Sequence, residues 1–292
     1  MSEPFATERI VHVIHAVDDY NATRVRYMNV LGALVFAEHY HPDADRDMNL
    51  FYVADFMIEP MAPRRTPRAG EAHDGPAAMA SIYANYLDRY GEGWHSFELA
   101  VDNLPGVIEN LSAQGIRVSP GVPFTHPRDA FGFCIEMIPK GMSMPGDPIG
   151  YRGWNPRWFE GNPMTLEGIA AIAHTVTAVG PARDFLVNTF GAVVLDEDAV
   201  DRPEPMERSR VELAGVELLL LAPTGTSGPV TEQVSRRGFG IYSLVWKVAS
   251  QSDARQRLAQ LGIRVQEGST ALGDFAIDPA DMFGARHEFL ET

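Results

Sequence analysis

Two histidines and two glutamates in the first half of the chain have the residue types and the spacing of a metal site. His12 lies on the first predicted strand and Glu59 on the last predicted strand of one repeated unit, and His95 and Glu136 lie on the corresponding strands of the next unit. Imidazole nitrogens and carboxylate oxygens that converge on one point bind divalent first-row metals and leave positions open for water or substrate. The four residues therefore predict a metal centre, if the fold brings their strands together.

Each of these side chains also has a purely structural interpretation. A single histidine on a strand is more often a core or edge residue than a ligand, and Glu59 alone would usually face solvent. Glu136 differs, because a carboxylate within an apolar strand needs a partner. Its apolar neighbours are Cys134, Ile135, Met137 and Ile138. The metal interpretation therefore depends on the four residues together.

Three further residues are weaker candidates. His15 has the opposite strand parity to His12, so we expect it to face away from the site. His126 precedes the last strand of the second copy, where a place at the rim of the site and a role in a turn are both open. Cys134 shares the parity of Glu136, and a small buried residue is its preferred interpretation.

The candidate ligands belong to a pattern that occurs four times along the chain. Each copy has an apolar strand, a helix that ends at a glycine, and further strands, and the copies begin near Arg9, Trp94, Ile172 and Ile241. One such module leaves an apolar sheet face open, so modules are expected to pair. The pattern predicts an α+β fold of four βαβββ modules that form two eight-stranded, cup-shaped half-barrels.

The pairing of modules predicts two domains, at residues 1–139 and 166–292. Residues 140–165 are rich in Gly, Pro, Met and Trp, and we expect them to form a linker that packs against the domains, because its aromatic side chains are unfavourable in water. All four candidate ligands fall in the first domain, which therefore carries the predicted metal site.

Composition and charge narrow the classes of partner. A net charge of −15, from 39 acidic and 24 basic residues, argues against nucleic acid and anionic membrane surfaces. The single cysteine fits a reducing compartment, and the N-terminus lacks the basic and apolar segments of a signal peptide. The sequence predicts a cytoplasmic protein with a small-molecule substrate, and it leaves a homodimer open.

Several features are shared with a known family: the four repeats, the stretch from His12 to Asp18, the Ile-Glu pair at Glu59, and the His126-Pro127 pair before Glu136. In these features the chain resembles the vicinal oxygen chelate superfamily. Its members include glyoxalase I, methylmalonyl-CoA epimerase, extradiol dioxygenases and antibiotic-resistance proteins. The resemblance covers most of the chain, and it is more specific for the fold than for the substrate.

The resemblance implies a divalent metal ion (zinc, nickel, cobalt, manganese or iron) held in the first cup by His12, Glu59, His95 and Glu136. This set resembles that of bacterial glyoxalases, and it implies that Glu59 or Glu136 acts as the catalytic base while the other stays a ligand. Strand counting places Ser96, rather than His95, at the ligand position. A β-bulge would return His95 to the cup.

The second half of the chain has mostly lost the candidate ligands. Ala171 stands at the position of His12, Leu219 near that of Glu59, and Tyr242-Ser243 replaces His95-Ser96, while Glu288 remains. We expect the second cup to support or gate the first. Extradiol dioxygenases usually hold iron in the C-terminal domain, with two His and one Glu, so this loss argues against ring cleavage.

Three functions follow from these considerations. The first is a metal-dependent lyase, isomerase or epimerase, in which two substrate oxygens chelate the metal and a metal-stabilised enediolate forms. The second is an Fe(II)-dependent dioxygenase that uses His12, His95 and Glu136. The third is a metal-free protein that binds or sequesters a small molecule. Four apolar residues either belong to the core or line a site for a substrate larger than methylglyoxal: Met57, Met61, Phe97 and Trp94.

Overall fold

The computed structural model describes residues 5–41, 46–63, 77–141, 160–200, 204–270 and 272–292. Within these ranges, the first half of the chain forms six strands and three helices. These are β1 (Thr7–Ala16), α1 (Tyr20–Leu31), β2 (Leu34–His41), β3 (Arg46–Val53), β4 (Phe56–Pro63), α2 (Ala77–Tyr90), β5 (Gly93–Val101), α3 (Leu104–Ala113) and β6 (Ile135–Pro139).

The second half repeats this order with two additional strands. Its elements are β7 (Leu166–Thr175), α4 (Val179–Phe190), β8 (Val193–Val200), β9 (Met206–Leu213), β10 (Val216–Pro223), α5 (Pro229–Arg237), β11 (Gly240–Val248), α6 (Gln251–Gln260), β12 (Val265–Glu267), β13 (Phe275–Ile277), a short 3₁₀ helix (Pro279–Met282) and β14 (His287–Glu291). None of the helices in the described ranges combines the length and apolar character needed to cross a bilayer.

Each half builds one mixed sheet around its first strand. The first sheet has the order β2-β3-β4-β1-β5-β6, and the second has the order β12-β13-β14-β11-β7-β10-β9-β8. In both, the first strand pairs in parallel with the fourth strand of its own module and antiparallel with the first strand of the next. The predicted α+β fold of two half-barrels is therefore confirmed.

The first sheet has six strands in the described residues, where the sequence predicted eight. Between α3 and β6, only two isolated bridges occur, Val118 with Thr125 and Phe124 with Glu136. This segment contains Pro120, Pro123 and Pro127. Proline cannot donate a ladder hydrogen bond, so the segment folds as turns instead of regular strands.

Both ends of helix α1 are marked by residues that can be recognised in the sequence. It begins after Asp19, whose carboxylate accepts a hydrogen bond from the backbone N–H of Ala22 at 2.9 Å. It ends at Gly32, which adopts a φ of 65°. A Cβ at Gly32 would lie 2.7 Å from Nδ2 of Asn162, so this position requires glycine for two reasons.

The two faces of β1 have different neighbours. Val13, on one face, belongs to a hydrophobic core that contains residues of both halves. His12, Ile14 and Ala16 point to the opposite face, which is the concave face of the first sheet. The strands lie within residues 7–139 and 166–291. The exact domain boundaries stay a prediction, and most of the predicted linker lies outside the described residues.

His15 faces away from the cup, as strand parity predicts, and enters a hydrogen-bonded chain that joins the two halves. Trp246 Nε1 donates to His287 Nδ1 at 3.0 Å, which leaves His287 Nε2 as the donor to the Tyr27 hydroxyl at 3.2 Å. Tyr27 then donates to His15 Nδ1 at 2.9 Å, and His15 Nε2 donates to the Phe283 carbonyl at 2.9 Å. Burial lowers the pKa of His15 to about 4, so this imidazole is neutral at pH 7.

Candidate metal centre

Four adjacent strands of the first sheet carry one histidine and three glutamates on the concave face. Across the order β4-β1-β5-β6, these residues are Glu59, His12, Glu98 and Glu136. His12 Nε2 lies 2.9 Å from Glu59 Oε2, and His12 Nδ1 lies 3.5 Å from Glu98 Oε1. Glu98 and Glu136 are register partners in the parallel pair β5 and β6. All four side chains are buried.

Strand register places Glu98 opposite His12. The pairing of β1 with β5 shifts between Ile10 and Val13, where Val11 is the additional residue. Beyond the shift, Val13 pairs with Phe97, so His12 faces Glu98 across the antiparallel pair. The bulge therefore decides which side chain of β5 meets His12.

Apolar side chains enclose the cluster along the concave face. One group includes Leu50, Tyr52, Met57 and Ala100. The other includes Ile14, Ala16, Met61, Tyr83, Leu87 and Phe124. Charges in such surroundings interact more strongly than in water. Of the apolar residues expected to contact a substrate, Met57 and Met61 lie on this face, whereas Phe97 and Trp94 belong to the core on the opposite side.

The carboxylates create a strongly negative potential at His12. Burial by itself lowers the pKa of His12, but the charges of Glu98, Glu59 and Glu136 outweigh burial and raise it to about 9. The same potential that holds a proton on this imidazole would attract a divalent cation, which competes with that proton for the ring nitrogen.

The residues present fit a divalent metal ion in chemistry and burial. Within the described part of the chain, no three His, Cys, Asp or Glu side chains already converge as bound ligands do. Both ring nitrogens of His12 are buried and make no hydrogen bond of regular geometry to the described residues, although carboxylate oxygens of Glu59 and Glu98 lie 2.9 and 3.5 Å away. One imidazole and three carboxylates favour ions with a preference for oxygen ligands, such as manganese or ferrous iron.

His95 lies on the concave side, but apart from the cluster. The register of β1 and β5 shifts between Ile14 and His15, and the additional residue on β5 is His95. Its ring packs against Tyr83 and Tyr86, with centroid distances of 4.8 and 5.0 Å, and its Nδ1 lies 2.8 Å from the Ser96 hydroxyl. Burial lowers the pKa of His95 to about 4. The ligand role predicted for His95 stays a prediction, and Glu98 is the β5 side chain that faces His12.

Sequence reasoning missed Glu98, although a signal for it was present. Phe97, Leu99 and Ala100 surround it in an apolar strand, which is the same argument that singled out Glu136. Glu98 also lies two residues after Ser96, the position that strand counting selects, and so has the same parity.

The second cup shows what the same fold contains without these ligands. Ala171 is paired with Val245, as His12 faces Glu98, and Leu219 occupies the position of Glu59. Glu288 remains, but its partners are protein groups: Arg286 Nε at 2.8 Å, the Ser269 hydroxyl at 2.9 Å and the Thr270 hydroxyl at 2.7 Å. The position equivalent to Arg286 in the first half is Cys134, so the ion pair that Arg286 makes with Glu288 has no counterpart from this position in the first cup.

The histidines predict how the stability of the metal-free protein depends on pH. His12 has a raised pKa of about 9, so its contribution is complete below pH 6.5 and is lost as the pH rises to about 9. His95 and His174 have pKa values lowered to about 4 and 3, so their contribution is lost as the pH falls below 6.5. We expect a maximum near pH 6.5 in urea midpoints measured from pH 5 to 9.

The variant His12→Gln tests the alkaline side of this dependence. It should lose much of the decrease between pH 6.5 and 9, because the titrating group is gone, and it should keep the decrease on the acid side. An unchanged alkaline decrease in this variant would contradict the assignment of the raised pKa to His12.

Comparison with known proteins agrees with this fold. Residues 10–182 match the model of a family described as a Glyoxalase-like domain. A triple mutant of 4-hydroxymandelate synthase from Streptomyces coelicolor has a TM-score of 0.70 and 14% identity, over 98% of this chain and 92% of that one. A xylose isomerase-like TIM barrel/4-hydroxyphenylpyruvate dioxygenase fusion protein has a TM-score of 0.58 and 13% identity, over 100% of this chain and 50% of that one.

Two further comparisons complete these findings. The methylmalonyl-CoA epimerase of Mycobacterium tuberculosis has a TM-score of 0.40 and 21% identity, over 44% of this chain and 89% of that one. Sequence comparison with curated proteins gives no match. The structural similarity extends over both halves of the chain, and the family match includes all four residues of the cluster, His12, Glu59, Glu98 and Glu136. The chain belongs to the Glyoxalase-like domain family, within the vicinal oxygen chelate superfamily.

Proposed function

We propose that this protein is a metal-dependent enzyme that moves a proton next to a carbonyl of a small oxygenated organic substrate, as a lyase, isomerase or epimerase does. The observation that carries the proposal is the buried cluster in the first cup, where His12 lies between Glu59 and Glu98 with Glu136 beside them. The second cup of the same fold has apolar residues at three of these four positions.

Different residues of the cluster would bind the metal and accept the proton. His12 and Glu98, which face each other across β1 and β5, would hold a divalent cation together with one of the outer carboxylates. When bound, the cation supplies positive charge to the substrate oxygens. The remaining outer carboxylate would take the proton. Glu136 is the better placed base, because Glu59 contacts His12 directly, with 2.9 Å between His12 Nε2 and Glu59 Oε2.

The apolar surroundings of the cluster suit this chemistry. Leu50, Met57 and Met61 exclude water from the concave face. A carboxylate that is shielded from water is a stronger base toward a proton on carbon. Tyr52 and Phe124 add aromatic surface at the two ends of the cluster. A substrate with an apolar body would therefore be accommodated beside the carboxylates.

Metal analysis tests the proposal first. Protein purified without a histidine tag and reconstituted with manganese, iron, cobalt, nickel or zinc should hold about one equivalent of ion per chain. Deuterium exchange at carbon, followed by NMR with a panel of carbonyl substrates in heavy water, then tests proton transfer. Less than about a tenth of an equivalent of every ion after reconstitution would contradict the proposal.

A second candidate is an Fe(II)-dependent dioxygenase. It requires His95 as a ligand with His12 and Glu136, and the bulge that turns His95 to the concave side is the observation in its favour. Oxygen consumption with a catechol panel under Fe(II) separates it from proton transfer. Binding of apolar ligands without metal or turnover would instead indicate a sequestering protein.

A further inference from the structure

A cleft of about 650 Å³ lies between the two halves of the chain, outside the carboxylate cluster. The first half contributes the end of α2, the start of β5 and the turns before β6. The second half contributes the end of α5 and the start of β11. Its lining includes Arg89, Arg128, Arg236, Arg237, Tyr86 and Phe239, and His95 also borders it.

The charge of the cleft is opposite to that of the chain. Four arginines line it, and its described lining contains no aspartate or glutamate. The whole chain has 39 acidic and 24 basic residues. A concave surface with one sign of charge concentrates ligands of the opposite sign. The cleft is therefore suited to an anion, which the remainder of the surface would repel.

One arginine holds the two halves together at the cleft. Arg237 Nη1 donates to the Tyr86 hydroxyl at 3.3 Å, and its Nη2 donates to the Glu92 carbonyl. Gly93 and Gly284 make room for it, since a Cβ at Gly93 would clash with the guanidinium and one at Gly284 would clash with the Glu92 carbonyl. Arg237 is thus a structural joint that fixes the geometry of the cleft.

The other three arginines are exposed and available to a ligand. Arg89 and Arg128 lie on the first half and Arg236 lies on the second, so a single anion could be held from both sides. Arginine binds carboxylates and phosphates through two parallel hydrogen bonds. The guanidinium of Arg89 lies 5.0 Å from the centre of the Tyr90 ring, which limits its freedom before a ligand binds.

Aromatic surface completes the site. Phe239 is 38% exposed at the cleft, and Tyr90 and Trp94 contribute further rings. A Cβ at Gly132 would lie 2.7 Å from Cβ of Phe239, so this glycine allows the two halves to approach. We propose that the cleft binds an organic anion that joins a carboxylate or phosphate to an aromatic or apolar body. This binding does not depend on the proposed metal chemistry.

Calorimetry on chelator-treated protein tests the proposal with phenyl phosphate and benzoate as probes. At least one of them should bind one site per chain, and more tightly than inorganic phosphate, which has the charge without the ring. The affinity should fall with added salt, because exposed arginines are screened. No binding of either probe at millimolar concentration, or equal affinity for phenyl phosphate and inorganic phosphate, would overturn the proposal.

Matched variants locate the binding site. The double variant that carries both Arg128→Gln and Arg236→Gln should weaken binding by about tenfold or more. The two substitutions together remove one charged hydrogen-bond donor from each wall of the cleft. Arg264→Gln removes an exposed arginine that pairs with Asp278 and Asp281 elsewhere, and it should leave the affinity unchanged. Thermal midpoints confirm that each variant is folded. Equal weakening by Arg264→Gln would show that net charge alone is responsible.

Discussion

Replacing either Glu98 or Glu136 by glutamine should reduce the affinity of the protein for divalent metal by about tenfold or more, or about 1.4 kcal/mol. The change is nearly isosteric and removes one carboxylate charge from the buried cluster around His12. Metal titration by calorimetry and metal content after gel filtration measure the effect. In the metal-free state, either substitution should also lower the pKa of His12, which NMR titration of its ring protons would show.

Two control variants separate this site from its alternatives. His95→Gln should leave metal content nearly unchanged if Glu98 is the ligand on β5, because His95 packs among Tyr83, Tyr86 and Phe124. Glu288→Gln should also leave it unchanged, because Glu288 pairs with protein groups in the second cup. If His95→Gln loses the metal while Glu98→Gln retains it, the ligand set expected from the sequence is right and our placement of Glu98 is wrong.

Arg286→Met should destabilise the protein by about 3–5 kcal/mol, the cost of removing one partner of a buried ion pair. Arg286 and Glu288 are both buried, and their side chains lie 2.8 Å apart. The variant leaves the Glu288 carboxylate buried without its cationic partner, with the backbone N–H groups and hydroxyls of Ser269 and Thr270 as the remaining hydrogen-bond donors. Urea unfolding at pH 7 measures the loss.

A second substitution shows whether the pair or only its rupture is responsible. Arg286→Met combined with Glu288→Leu should recover much of the lost stability, because replacing a whole buried pair by apolar residues is often neutral. Arg264→Met should cost far less stability than Arg286→Met, because the Arg264 side chain is 60% exposed and its pairs with Asp278 and Asp281 are screened by solvent. An Arg286→Met protein as stable as the Arg264→Met protein would contradict the importance of the second-cup pair.

Much of the fold could be predicted because its signals are local. Asp19 caps α1 and Gly32 ends it, and both effects depend on residues within one helical turn. The alternation along β1 separates His12 from His15, and the structure places them on opposite faces as predicted. The missing strands between α3 and β6 are the exception, since the repeat suggested strands where Pro120, Pro123 and Pro127 prevent a regular ladder.

The sequence by itself determined the repeat, the two half-barrels and the strands on which His12, Glu59 and Glu136 lie. The tertiary structure decided which residue of β5 faces His12, because the register of an antiparallel pair depends on bulges, and a shift of one residue exchanges the two faces. It also formed the arginine-lined cleft, whose walls lie far apart in the chain. No local pattern brings Arg128 and Arg236 together, since only the packing of one half against the other places them in a common cleft.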